Sequence, residues 1–139
     1  MSDSQRFPVA AHALAYLAHK GAASPAAAIS SAELAASMPT NPVVVRRVTS
    51  MLAKAGLIAT RSGATGGAWL LKAPEDIRLD AVLRAVHGCA KFGTPPKGVA
   101  GCPVGERIPR AVHAALEAAD EAAAQRLAKI SVADLLSVA

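Results

Sequence analysis

The hydrophobic period of this chain changes character at Gly56, and the segments on either side of that change leave few folds open. Downstream, Leu57-Ile58-Ala59-Thr60-Arg61 and Ala68-Trp69-Leu70-Leu71-Lys72 read as two strands around Ser62-Gly63-Ala64-Thr65-Gly66-Gly67, a hairpin with a glycine-rich turn. Upstream, apolar residues recur at helical spacing. Val9, Ala13, Tyr16 and Leu17 lay a stripe along a helix from Phe7 to His19, which Gly21 to Pro25 breaks. Ser30-Ser31-Ala32-Glu33 is a capping-box pattern that opens a short helix over 31–37. Asn41-Pro42 starts the next helix, because asparagine caps free amides and proline suits the first helical position. That helix runs to about Ala55. Helix, helix, helix, hairpin in this order is a winged helix-turn-helix.

Beyond the hairpin, residues 76–86 suggest a helix whose buried side is Ile77, Val82, Leu83 and Val86. Gly88 to Gly105 is rich in glycine and proline and holds both cysteines, Cys89 and Cys102. Arg107 to Ile130 reads as one long alanine-rich helix with a narrow stripe of Ile108, Val112, Leu116, Ala119, Ala123 and Leu127, and Ser131 caps a last short helix. A long helix with a narrow seam, following a domain that is already complete, usually packs against a copy of itself. The expected fold class is therefore mainly α with a small β-hairpin: a winged helix-turn-helix over residues 1–75, a linking helix and cysteine loop over 76–105, and a dimerisation helix with a short terminal helix over 106–139.

Charge is distributed unevenly over this framework. From Leu34 to Pro74 there is no acidic residue, yet Arg46, Arg47, Lys54, Arg61 and Lys72 fall there, five positive charges that equal the formal net charge of +5. Excess positive charge concentrated on a helix-turn-helix and its hairpin is the footprint of a surface that meets double-stranded DNA. At 100° per residue, Val44, Val48, Met51, Leu52 and Ala55 share one face of the third helix, and Val43, Arg46, Thr49, Ser50 and Ala53 the other, with Arg47 and Lys54 on the flank. The expected base readers are Arg46, Ser50, Thr49 and Val43. Thr40, Asn41, Arg47, Lys54, Arg61, Thr65 and the backbone of Gly66 and Gly67 are expected at phosphates or the minor groove.

Other classes fit less well. Aromatic content of 3% is too low for a base-stacking platform on single strands. No helix start follows the glycine-rich turn, which argues against a nucleotide loop. No CxxC pair, paired carboxylates or metal-spaced histidines appear, so an enzyme is not expected, and a winged helix that binds only protein would carry an uncharged or acidic third helix. Neither a secretion signal nor a membrane-length apolar run is present, so a cytoplasmic location is expected.

Several stretches together resemble the Rrf2 family of bacterial winged-helix regulators, and within it the YwnA-like branch. They are Arg6-Phe7, Asn41-Pro42-Val43-Val44-Val45-Arg46-Arg47, Lys54-Ala55-Gly56-Leu57-Ile58, Gly63-Ala64-Thr65-Gly66-Gly67-Ala68-Trp69, Pro74-Glu75-Asp76-Ile77, Cys102-Pro103-Val104-Gly105 and Ile130-Ser131-Val132-Ala133-Asp134. The resemblance implies a dimeric repressor whose long helix makes the dimer, whose third helix enters the major groove and whose wing touches the minor groove. The family often has arginine just before the first glycine of the wing; this chain has Ser62 there and Arg61 one place earlier. Cluster-binding members carry three closely spaced cysteines, whereas Cys89 and Cys102 are two, thirteen positions apart. No cofactor is expected. The alternative, an iron–sulfur cluster, would need two further ligands, for which His87 and His113 are the sequence neighbours. Two readings of the cysteines stay open beside it: small inert residues, or a thiol-redox switch with Lys91 and Lys97 close by in sequence.

Overall fold

The computed structural model describes residues 5–87, 93 and 97–138. Its elements in chain order are α1 (Arg6–His19), α2 (Ser31–Ser37), α3 (Pro42–Lys54), β1 (Ile58–Arg61), β2 (Gly67–Leu70), α4 (Leu79–His87), α5 (Pro103–Leu127) and α6 (Val132–Ser137). The expected fold class, mainly helical with one hairpin, is what forms.

α1 is the central strut. Ala10, Ala13, Leu14 and Leu17 are fully buried on it, and it touches α3, α4, α6 and β2. Two alanines on the buried face let those neighbours approach the helix backbone closely, and Leu14 and Leu17 fill the space between them. α2 is pinned across α1 in a way the capping-box pattern does not anticipate. Ser30 Oγ accepts from the Glu33 amide, but the Glu33 carboxylate does not reach back to close the box. It accepts a 2.9 Å hydrogen bond from the Tyr16 hydroxyl on α1 instead, and that bond is the main reason the Tyr16 phenol titrates above its usual range. The tertiary partner displaces the local one.

The hairpin is antiparallel with Ile58 opposite Leu70 and Arg61 opposite Gly67. On its other side β2 pairs with a single residue ahead of α2: Ile29 and Ala68 exchange backbone hydrogen bonds of 2.9 and 2.8 Å. Gly67 lies flat against that contact, with φ +155 and no room for a Cβ, which would overlap the Ile29 backbone. The hairpin is thereby stitched to the start of α2, and this sets the angle at which it stands beside α3.

One buried cluster runs from Ala10 to Val132 and includes Ile77, Leu79, Val82 and Val86. α4 begins at Leu79, later than the expected 76, because Pro74–Asp76 forms a 3-10 turn and the next two residues pair with the chain's far end. The Leu79 amide donates to Ile130 and the Val132 amide to Ile77, both at 2.9 Å. α6 is closed by a full capping box in which Ser131 and Asp134 exchange hydrogen bonds of 2.8 and 3.1 Å. The Ser131 amide and then its hydroxyl hold the Asp134 carboxyl below its ordinary pKa.

Two stability predictions follow from these contacts. Gly67→Ala places a side chain on the Ile29 backbone at a glycine-favouring φ, and should cost on the order of 2 kcal/mol with the hairpin loosening first, read by urea unfolding and by amide exchange at Ala68 and Leu70. A depressed carboxylate stabilises the fold above its unfolded pKa, and that contribution disappears as pH falls through the folded value. The melting temperature should therefore drop between about pH 5 and pH 2 more steeply in the parent than in Asp134→Ala.

Candidate nucleic-acid interface

α3 is enclosed by α1, α2, α4 and β1, and it turns Val45, Val48, Thr49 and Leu52 inward. Relative to the expected arrangement the buried face is rotated about 60° round the helix axis at 100° per residue. Val45 is fully buried, Val44 is half-buried and Ala55 is exposed. The outward placement expected for Thr49 is corrected by the same rotation: the residue is 6% exposed and its hydroxyl donates to the Arg46 carbonyl at 3.0 Å. A threonine satisfied by its own helix can be buried at little cost, which is why a polar residue stands in the core face.

What remains outside is a continuous strip of Val43, Arg46, Arg47, Ser50 and Lys54, all exposed. Arg47 and Lys54, expected on the flank, form one side of it. Val43 is 53% exposed, unusual for a valine in a helix that otherwise buries its apolar residues. Arg46 has only a long 3.4 Å bond to the Pro42 carbonyl to restrain it. Among the described residues, no carboxylate pairs with Arg46, Arg47, Lys54 or Arg61. At the head of the strip Asn41 is exposed with its Oδ1 already engaged, accepting from the Val43 amide at 2.8 Å, and Thr40 is half-buried with its amide on the Ala35 carbonyl.

The wing stands beside this strip. Arg61 is exposed, and one of its guanidinium nitrogens donates to the Thr65 carbonyl at 3.0 Å and the Pro25 carbonyl at 3.3 Å, so the side chain bridges the turn to the segment ahead of α2. Thr65 is exposed at the tip. The two glycines that follow have reasons internal to the fold. A Cβ on Gly66 would overlap the Arg61 carbonyl, its amide is already bonded to the Gly63 carbonyl at 3.0 Å, and Gly67 is held flat by Ile29. The Gly66 amide is thus not available to a phosphate as the sequence suggested. Between α2, α3 and the hairpin opens a groove of about 670 Å³, into which Arg46, Ser50, Lys54 and Arg61 are brought together. Ser30, Ser31, Thr60 and Ser62 also line it. Sequence reasoning missed these hydroxyls, because only the pairing of Ile29 with Ala68 brings the α2 start and the hairpin to the same place.

The cysteine region differs from expectation at its helix. α5 starts at Pro103, four residues earlier than expected, with Cys102 as its cap: the sulfur accepts from the Gly105 amide at 3.3 Å. Pro109 inside α5 has no amide to give to the Gly105 carbonyl, and that carbonyl accepts from Val99 at 3.1 Å instead. The residues before Cys102 therefore dock on a vacancy the proline creates. Cys102 is exposed with a free thiol; Cys89 lies outside the described residues. The stripe expected along α5 divides in two. Leu116, Ala123 and Leu127 are half-buried, with Leu127 against the core, while Ala119 is exposed and Ile108 and Val112 stay 53% and 41% exposed; Val104, outside the expected stripe, is 67% exposed. Among the described residues, no helix is long and apolar enough to cross a membrane, and no three His, Cys, Asp or Glu side chains gather as a metal group would require.

Residues 3–137 match the Rrf2 family, described as an iron-dependent transcriptional regulator. The two cysteines of the chain fall short of the four thiolates that hold an iron–sulfur cluster. YwnA of Bacillus subtilis (strain 168), an HTH-type transcriptional regulator by name, is 38% identical over 109 residues, covering 78% of this chain and 81% of that protein. A crystal structure of a protein described as DNA binding superposes with a TM-score of 0.72 at 36% identity, over 94% of this chain and 98% of the other. A transcriptional regulator from Lactobacillus plantarum gives 0.77 at 27% identity, over 96% and 88%. Agreement of this extent spans the winged domain and the long helix together, and the chain belongs to the Rrf2 family of transcriptional regulators.

Proposed function

We propose that this regulator acts as a homodimer on double-stranded DNA, with α3 of each subunit in a major groove and the hairpin beside it. The observation that carries the reading is the strip of Val43, Arg46, Arg47, Ser50 and Lys54, exposed and without acidic partners among the described residues. Arg46 donates in parallel to a guanine edge, Ser50 bonds a neighbouring base or phosphate, and Val43 meets a thymine methyl. Arg47, Lys54 and Thr40 hold phosphates. Arg61 contributes through the nitrogens its two carbonyl partners leave free, and Thr65 and the Gly67 backbone reach the minor groove at the wing. Thr49 is no longer among the readers, and Asn41 orients α3 as its cap.

Dimerisation is supported by the exposed Val104, Ile108 and Val112, three apolar side chains at helical spacing on a helix of roughly 37 Å. Residues 1–75 then act as reading head and 106–139 as the joining arm. Two such heads one helical turn apart, about 34 Å, fit a near-palindromic operator, and occupying it excludes polymerase, so the regulator is a repressor in the cytoplasm. The relatives are regulators rather than enzymes, and no catalytic role is assigned to this chain. Its signal is oxidation of Cys89 and Cys102: a hydroperoxide takes two electrons from the two thiols, a disulfide forms, and an alcohol and water leave. The support is an exposed free thiol that doubles as the cap of the joining helix.

Three outcomes test this reading. On a duplex recovered from a random pool, about 6 to 10 phosphate contacts should make affinity fall roughly 10³ to 10⁵ fold between 50 and 200 mM salt, and a flat response contradicts it. Arg46→Ala should cost about 1–3 kcal/mol and relax preference at one base position, whereas Thr49→Val should leave sequence preference intact. Ile108→Asp should convert the dimer to monomer in sedimentation at micromolar concentration with an unchanged helical signal; a parent that already sediments as a monomer removes the joining arm from the account.

A further inference from the structure

The groove between α2, α3 and the hairpin has the volume of a ligand site as well as the charge of a DNA-facing surface. Its volume of about 670 Å³ lies inside the range of small-molecule sites, about 300–1,000 Å³. Three cations line it, Arg46, Lys54 and Arg61, and no carboxylate does. The hydroxyls of Ser30, Thr60 and Ser62 line it as well. Ser30 Oγ accepts from the Glu33 amide and keeps its own proton for an incoming oxygen. Arg61 is held by the Pro25 and Thr65 carbonyls through one nitrogen, so its remaining donors are presented from a fixed position and little freedom is lost on binding.

Spacing narrows the ligand. Arg46 and Lys54 lie eight residues apart on α3, roughly 12 Å along the axis, on the same face. A compact anion meets one end of that span; an extended anion with several charges meets both ends and Arg61 together. From this juxtaposition of three cations without acidic partners and a set of hydroxyl-bearing side chains in one groove, we propose that it binds a free polyphosphate chain, inorganic or as the tail of a nucleotide, in competition with the duplex. The inference rests on reading this face as one that receives phosphate, and adds a soluble ligand that would release the regulator from DNA. Since successive phosphates of a DNA strand and of a free chain satisfy the same cations, both cannot occupy the groove at once.

The test uses the full chain and inorganic tripolyphosphate, titrated by calorimetry at constant ionic strength, with sulfate as the compact comparison. One tripolyphosphate per chain should bind, at least about tenfold tighter than sulfate. Lys54→Gln should weaken it about fivefold, whereas Lys72→Gln, which removes the same charge outside the groove, should not, provided both variants melt like the parent. Tripolyphosphate should also displace a labelled duplex further than potassium chloride of equal ionic strength. Affinity no better than that for sulfate, equal losses in the two variants, or displacement no greater than that by chloride would overturn the proposal. Adenosine triphosphate in place of tripolyphosphate separates the two sources: tighter binding points to the nucleotide, equal binding to the bare chain. A parent that binds duplex but not tripolyphosphate loses this inference and keeps the proposed function; one that binds tripolyphosphate but no duplex loses the proposed function and the competition with it, and keeps the polyphosphate site.

Discussion

Val45, Val48, Thr49 and Leu52 are buried on one side of a single helix, and through them α3 is set in the fold. Three of the four are apolar side chains, each contributing about 1.5–3 kcal/mol by leaving water, so turning α3 to present a different face would cost roughly 5–9 kcal/mol. Stabilities of whole domains of this size are commonly about 5–15 kcal/mol. The helix therefore cannot rotate without unfolding the domain, and the direction in which Arg46 and Ser50 point is a property of the core. The outward strip is rigid because of residues that are not in it. Neither the stitch of the hairpin to Ile29 nor the position of Arg61 would matter without that fixed reference.

Electrostatics builds on this scaffold. The acid-free stretch from Leu34 to Pro74 folds into the end of α2, α3 and the hairpin, and its cations meet no carboxylate among the described residues. On α4 an ion pair is local, between Arg84 and Asp80 one turn apart. Unneutralised cations on a rigid surface repel one another and add nothing to folding, so their concentration there is understandable as a demand of a polyanionic partner. α5 shows a similar division between fold and function. Its later half contributes Leu127 to the core, and its earlier half leaves Val104, Ile108 and Val112 in solvent.

Much of the architecture is legible in the residues because local signals and tertiary structure agree there. Asn41-Pro42 opens α3 and caps it through Oδ1, Ser131 caps α6, and the period change after Gly56 marks the hairpin to within a residue or two. Where the sequence misleads, a long-range contact overrides a local preference. Glu33 leaves its capping box for Tyr16, and Ile77 and Arg78 leave helix for pairing with the end of the chain. Thr49 is the instructive case for the site. Hydroxyls count as polar in any amphipathic reading, yet one that bonds its own helix behaves as a core residue, and counting it outward misplaced the face. Gly66 and Gly67 looked like bare backbone offered to a ligand, while their lack of side chains is required by Arg61 and Ile29. The start of α5 carries one local sign, Pro103 at the first helical position, but cysteine seldom serves as a cap and the helix is expected four residues later.

The central claim is that the exposed strip of α3 is the surface that meets the duplex, and lysine acetylation in the presence and absence of DNA tests it most directly. Lys54 lies in the strip and Lys129 just beyond the end of α5, both exposed. With saturating duplex, acetylation of Lys54 should fall sharply while that of Lys129 stays at its free rate. If DNA is bound and Lys54 is modified as fast as before, α3 does not face the duplex and the account is wrong.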